Sequence, residues 1–457
     1  MKDLTAGPIA KNILQMSVPI AAGMIFQTLY ILIDLYFVAG LGGAAIAGVG
    51  AAANFMFLVF ALTQVLGVGT VALISQAVGR KEQANATLIF NQSLVLSSTW
   101  AAITLVCGYA VGGSYMQALG ADAATALAGT RYLYWFLPSL GLQFALVVMS
   151  SALRGTGIVQ PAMIVQVLTV ILNAVLAPVL IAGWGTGHPM GVAGAGLASS
   201  LAVGVGVVLM AMYFHRLEKY VAFDVGAWRP QLAIWGRLLR IGLPAGGEFA
   251  LMFMYLVVIY GLIRPFGPDA QAGFGIGQRL MQSLFLPAMA VAFATAPIVG
   301  QNFAAGKFLR VRETFVRATL IGSCIMVAIT IFCHLGGEWA VRAFTANPAV
   351  ISVGTQFLLV ISWNFLATGI VFTCSAVFQG LGHTMPAVLS AASRLVSFVV
   401  PALWLASSPQ FHLVQLWYVS VASVTLQALF SLWLVRREFH KRVPIVSPSA
   451  ASPAALQ

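Results

Sequence analysis

Residues 17–40 read SVPIAAGMIFQTLYILIDLYFVAG. A helix crosses the hydrocarbon core of a bilayer with about 20 apolar residues, and this stretch supplies them. It also carries an acid, Asp34, with no basic residue near it in sequence. A carboxylate in hydrocarbon is costly and usually marks an ion or substrate path. Gln27 and Tyr30 precede Asp34 at spacings that put all three on one helical face, and Gly23 extends that stripe by a turn. Such a stripe must face protein or water, because lipid would leave it without hydrogen-bond partners. A helix that enters near Leu14 carries Asp34 about 30 Å along, into the outer half of the molecule. On the functional reading, this carboxylate is protonated in one conformation and charged or cation-bound in another. On the structural reading, it is a permanently neutral or hydrogen-bonded acid that holds helices together.

Composition agrees with a membrane location. Of 457 residues, 60% are hydrophobic and 7% charged, whereas soluble domains carry about 25% charged residues. The net charge of +12 then reflects basic loops on one side of a membrane rather than nucleic-acid binding. Cys107, Cys324, Cys333 and Cys374 all fall in apolar runs, with no disulfide or metal-site spacing. No phosphate loop, metal-ligand cluster or Ser/His/Asp grouping is present, so neither an enzyme nor a cofactor is expected. With no nucleotide site, an ion gradient is the natural energy source. The apolar run after Lys11 is too long for a signal-peptide core and is expected to remain as the first helix.

Twelve spans are predicted, at 14–39, 47–76, 87–112, 126–152, 161–183, 192–214, 241–264, 273–299, 316–337, 349–378, 386–407 and 412–435. With the N-terminus inside, every Lys and Arg except Arg131, Arg264, Arg279, Arg342 and Arg394 falls in a cytoplasmic segment. That asymmetry predicts cytoplasmic termini. A shift of 225 residues places Pro19 on Pro244, Gln76 on Gln301, Gly129-Thr130 on Gly354-Thr355, Gly155 on Gly380, Gly157 on Gly382 and Pro161 on Pro386. One shift maintained across an entire half is a repeat. The expected fold is therefore all-α, with two six-helix bundles related by a pseudo-two-fold axis along the membrane normal. The expected units are a lobe at 1–214, a cytoplasmic linker at 215–240, a lobe at 241–440 and a disordered tail at 441–457. The end of the linker, Leu232–Leu239, reads either as plain linker or as an amphipathic helix at the headgroups.

Other polar groups stand out in the spans. The fifth has Gln166, Val170, Asn173 and Ala177 on one face. Asn173 can donate to a carboxylate or offer its carbonyl to a cation, or it can simply join helices. Glu248 is the second intramembrane acid, one turn past Pro244, with Met252 and Tyr255 on its face. Arg394 runs to a similar depth from the same side, so a Glu248–Arg394 pair is predicted, which would make Glu248 structural or gating. Pro19 and Pro244 are kink-prone positions that match across the repeat.

These stretches resemble the multidrug and toxic compound extrusion (MATE) family of secondary transporters. The first span looks like that family's first helix, and PIVGQNFAAGK (297–307) is similar to the element ending its eighth. ALRGTG (152–157) and FQGLGHTMP (378–386) resemble the paired turns after helices four and ten. The resemblance spans nearly all of 10–440. It implies two lobes in a V, alternating access, and export of amphipathic, mostly cationic small molecules against inward H+ or Na+. It further implies a monomer, multi-pass in a bacterial inner membrane and embedded in the lipid bilayer, with no nucleic-acid partner. Asp34 matches the family's coupling-ion acid and Asn173 its partner, while Gln27, Tyr30, Glu248, Tyr255 and Arg394 are candidate gating or substrate residues. Two departures follow. Ala177 stands where some members have a second acid, which favours H+ over Na+. Met252 stands where others have an acid on helix seven. The alternative within the superfamily, a lipid-linked oligosaccharide flippase, would be expected to carry several basic residues in its cavity, whereas this chain places only Arg394 within a span.

Overall fold

The computed structural model describes residues 1–444 apart from 121 and 186, and without the side chain of Ile31. Of the tail read as disordered at 441–457, Lys441 and Arg442 belong to the last turn of the final helix, and residues 445–457 lie outside the described residues. The first lobe comprises α1 (Ile9–Ala39), α2 (Gly43–Gly79), α3 (Gln83–Leu119), α4 (Ala123–Gly155), α5 (Gln160–Ala182) and α6 (Val192–Arg216). The second comprises α7 (Leu232–Ile263), α8 (Pro268–Ala304), α9 (Phe308–Arg342), α10 (Pro348–Ile361), α11 (Asn364–Gly380), α12 (Met385–Ala406) and α13 (Leu413–Arg442). Eleven helices are long and apolar enough to cross a bilayer. Bent by 57° relative to each other, α10 and α11 together make a twelfth span. The helices run alternately toward and away from one basic end, where Lys2, Arg80, Lys81, Lys307 and Arg310 lie.

Two sequence expectations change. The span at 349–378 is broken at Ser362-Trp363, where no proline intervenes. Its freed backbone is satisfied from α9, because the Thr330 hydroxyl donates to the Ser362 carbonyl at 3.0 Å, which makes a break inside a membrane tolerable. Leu232–Leu239 is neither plain linker nor a separate surface helix but the first turns of α7. Ile234 and Leu238 are buried and belong to the first lobe's hydrophobic cluster, so apolar packing draws this segment off the headgroups. The remainder of the linker is pinned to α3. Gln92 donates to the carbonyls of Ala227 and Arg229, and Asn91 accepts from the Trp228 indole.

The lobes meet at the basic end. In α2, Val65 to Ser75 are buried without interruption, whereas from Gly43 to Leu62 burial recurs on one face only. In α8 the uninterrupted stretch is Ala294 to Asn302. Both helices are therefore enclosed at the basic end and half-bare toward the other, leaving the cleft between the lobes open at that other end. The seam is close because it is built on glycine, as membrane helices require for backbone contact. A Cβ on Gly79 would lie 2.3 Å from the Gln301 carbonyl oxygen, and one on Gly242 would lie 2.0 Å from that of Val65. Gly242→Ala must push α7 off α2, and overpacking of this kind costs about 1–3 kcal/mol. A lower thermal midpoint of the purified protein is expected, and an unchanged midpoint would contradict this packing.

The repeat is visible at the seam as a pair of matching bonds. Gln76 Nε2 donates to the Gly380 carbonyl at 3.0 Å, and Gln301 Nε2 donates to the Gly155 carbonyl at 2.9 Å. Gln76 and Gln301 are repeat mates, and so are Gly155 and Gly380. One contact is thus made twice in opposite senses, as a two-fold relation between the lobes requires.

Candidate ion and substrate sites

Asp34 sits in the far half of α1, 7% exposed and facing α4. The Tyr132 hydroxyl on α4 donates to Asp34 Oδ2 at 3.4 Å. Tyr132 is held for this by burial and by stacking on Phe136 at 5.1 Å. Tyr30, one turn earlier on α1, lies beside both Asp34 and Ser199 of α6. Asp34 Oδ1 and both amide atoms of Asn173 are buried with no hydrogen-bond partner among the described residues. Asn173 is fully buried on α5, which packs along α1, but it does not bond Asp34 directly. Each orphaned buried group costs roughly 1–3 kcal/mol, a cost that a water or other polar guest at these atoms would offset. The donors available are carboxylate, amide carbonyl and hydroxyl oxygens. That hard set suits a proton, a water or a small hard cation rather than a soft metal. Among the described residues no basic side chain pairs with Asp34. Gln27 is exposed at the start of the stripe.

The second lobe lacks this arrangement. A shift of 225 residues carries Tyr30 to Tyr255, but Asp34 to Ile259, Tyr132 to Phe357 and Asn173 to Phe398. Tyr255 packs on Phe398 at 4.6 Å, and Phe357 on Phe274 and Trp417, so rings fill what is polar in the first lobe.

The predicted Glu248–Arg394 pair is not formed. Glu248 accepts from the Ser375 hydroxyl of α11 at 3.0 Å. Arg394 lies over the Tyr255 ring at 4.4 Å, with its Nε unpartnered, while the Tyr255 hydroxyl meets Ser420 at 2.9 Å. The Thr384 hydroxyl bonds the Ile241 carbonyl, which sets the level of α12 against α7. From there Glu248 is seven residues along and Arg394 ten, an offset of about one turn. Sequence depth alone hid that offset, together with the turn of the carboxylate toward α11.

Arg154, counted from sequence among the basic residues of a cytoplasmic segment, lies in the last turn of α4. Its Nη2 donates to Ser151 at 2.8 Å, and its guanidinium faces Phe293 across the seam at 5.4 Å. It lines a cavity of about 10 Å3 with Gln64 and Gln379, room for one water. Tyr132 was also missed, because an aromatic in an apolar span carries no sequence mark of pointing at an acid.

A twelve-span, two-lobed helical fold whose lobes meet at one end and leave a cleft at the other is that of a membrane transporter. The MatE family model matches residues 19–179 and 244–405, two copies whose starts differ by the repeat shift of 225, and the chain belongs to that family of membrane transporters. It is 26% identical over 409 residues to the probable multidrug resistance protein YpnP of Bacillus subtilis, covering 87% of this chain and 88% of that one. It is 24% identical over 408 residues to the FAD transporter of Shewanella oneidensis, covering 88% and 89%. A solved outward-facing multidrug resistance MATE transporter of the MOP superfamily superposes with a TM-score of 0.90 at 25% identity, covering 97% and 98%.

Proposed function

We propose that this protein is an ion-coupled antiporter, with H+ favoured over Na+, that exports amphipathic, mostly cationic organic compounds by alternating access. The observation that carries the reading is Asp34, a buried, unpaired acid with one oxygen free of partners. Protonation removes a charge from the interior of the first lobe and alters which lobe packing is favoured; substrate affinity must differ between the two states for coupling. A second carboxylate beside Asp34 would favour Na+, but Ala177 stands at the matching position. The basic end would face the cytoplasm, by the asymmetry of Lys and Arg, with the open cleft outward and the protein in a bacterial inner membrane. The aromatic contacts Phe57–Phe253 and Phe60–Phe249 between α2 and α7 suit flat, cationic cargo.

The test is dye accumulation in proteoliposomes under an imposed pH or Na+ gradient. A pH gradient is expected to drive uptake of a cationic dye, while a Na+ gradient alone leaves it near background. If neither gradient drives it, the antiport reading fails. FAD accumulation that the dye does not compete with would replace the cationic cargo by an anionic one, as the name of the Shewanella relative describes. For the flippase alternative, Arg394 lies on the Tyr255 ring and Arg154 faces Phe293 at the seam, so neither belongs to a basic ring for a pyrophosphate.

A further inference from the structure

We propose that Lys2–Gly7 is a strap that holds the basic-end gate shut and must let go before that gate opens. The segment is extended and turned rather than helical, yet it is tied to both lobes. On the first lobe, the Lys2 amide donates to the Thr156 carbonyl at 2.9 Å. On the second, the Leu4 amide donates to Gln301 Oε1 at 3.0 Å, and Asn302 Nδ2 donates to the Leu4 carbonyl at 3.2 Å. Lys307 Nζ donates to the Thr5 carbonyl and hydroxyl, and Arg310 to the Gly7 carbonyl, all at 2.9 Å. The Leu4 side chain is fully buried. It shares one apolar cluster with Ile13 and Met16 of α1, Val159, Val291 and Ile298 of α8, and Ala318 of α9.

Two details show that the seam is shaped around this strap. Gly157 has φ +81°, and a Cβ there would lie 2.8 Å from the Lys2 carbonyl oxygen, so glycine is required both for the turn and for the approach. Gln301, one of the two latch glutamines, uses its amide nitrogen on Gly155 and its amide oxygen on Leu4. A single side chain thereby ties α8, the end of α4 and the strap together. Its mate Gln76 makes only the bond to Gly380. The repeat mate of Leu4 is Arg229, whose carbonyl is held on α3 by Gln92, so the strap exists on one side of the pseudo-axis only. When the lobes part at this end, the bonds to Thr156 and to the second lobe cannot all persist. The segment continues directly into α1, the helix that carries Asp34, so release of the strap and movement of α1 are mechanically joined.

This inference rests on the alternating-access reading, and the experiment separates the two. Ser75, fully buried at the seam, becomes a reporter through Ser75→Cys in a chain whose four cysteines are replaced by alanine. Labelling by a hydrophilic maleimide is then followed in nanodiscs. Leu4→Asp is expected to label about tenfold faster than its parent and Leu4→Ile at the parental rate, in proportion to the open-gate population. Lys307→Ala with Arg310→Ala removes the strap's outer anchors, together with the Arg310 bond to Asn302, and leaves Leu4 in place; it should speed labelling in the same direction. Equal labelling rates in parent, Leu4→Asp and the double variant would overturn the strap. Faster labelling of the strap variants in a parent that shows no gradient-driven export would keep the strap and overturn the antiport reading.

Discussion

Asp34→Asn is expected to reduce gradient-driven export to the background of empty vesicles, while binding of a cationic dye to the purified protein persists. Asparagine keeps the size and the hydrogen bond from Tyr132 but has no titrating proton and no charge to offer a cation. A coupling ion acts only through a difference in affinity between two states, and at this position the variant has no such difference. Asp34→Glu, which restores a carboxyl one methylene longer, should recover part of the transport. Folding is not expected to suffer, since replacing an unpaired buried acid by a neutral isostere removes a desolvation cost. A thermal midpoint at or above that of the parent, with export lost, is the predicted combination. Export by Asp34→Asn at parental rates would place coupling elsewhere, and Glu248 would then be the acid to test.

The second large effect is at the seam. Gln301→Ala leaves the Leu4 amide and the Gly155 carbonyl without partners in a fully buried place. At roughly 1–3 kcal/mol per orphaned group, the loss is about 2–6 kcal/mol. Gln76→Ala breaks one bond at a half-buried position and should cost about 1 kcal/mol. Thermal unfolding of the two variants beside the parent measures the contrast directly. The repeat alone predicts equal losses for equivalent residues, so equal midpoints would show that the strap contributes nothing to the seam. A clearly lower midpoint for Gln301→Ala is the signature of the asymmetric strap.

Most of the architecture was legible in the chain itself, and for simple reasons. A span must be apolar over its whole length, so helices in lipid announce themselves, and a repeat kept at one shift reports two like lobes. Asp34 stood out for the same reason, because a charge among apolar residues is costly and needs either a function or partners in the protein. The Glu248–Arg394 pair was wrong because depth along two helices says nothing about the directions in which their side chains turn. The break at Ser362 was invisible because its compensation, the Thr330 hydroxyl, comes from another helix.

By itself the sequence determined the number of crossings, the two-fold relation of the lobes, and the confinement of the acid to one of them, since Ile259 stands where a second would be. Only the tertiary structure decided what surrounds that acid: Tyr132 from α4 bonded to it, Ser199 from α6 beside Tyr30, and Asn173 from α5 left unsatisfied in the same lobe core. It also decided which end is closed and that Lys2–Gly7 lies across it. Periodicity and polarity are properties of one helix in its solvent, and the chain displays them. Which hydroxyl meets which carboxylate is fixed by the rotation and offset of separate helices, set by close packing of hundreds of apolar atoms and carried by no short motif.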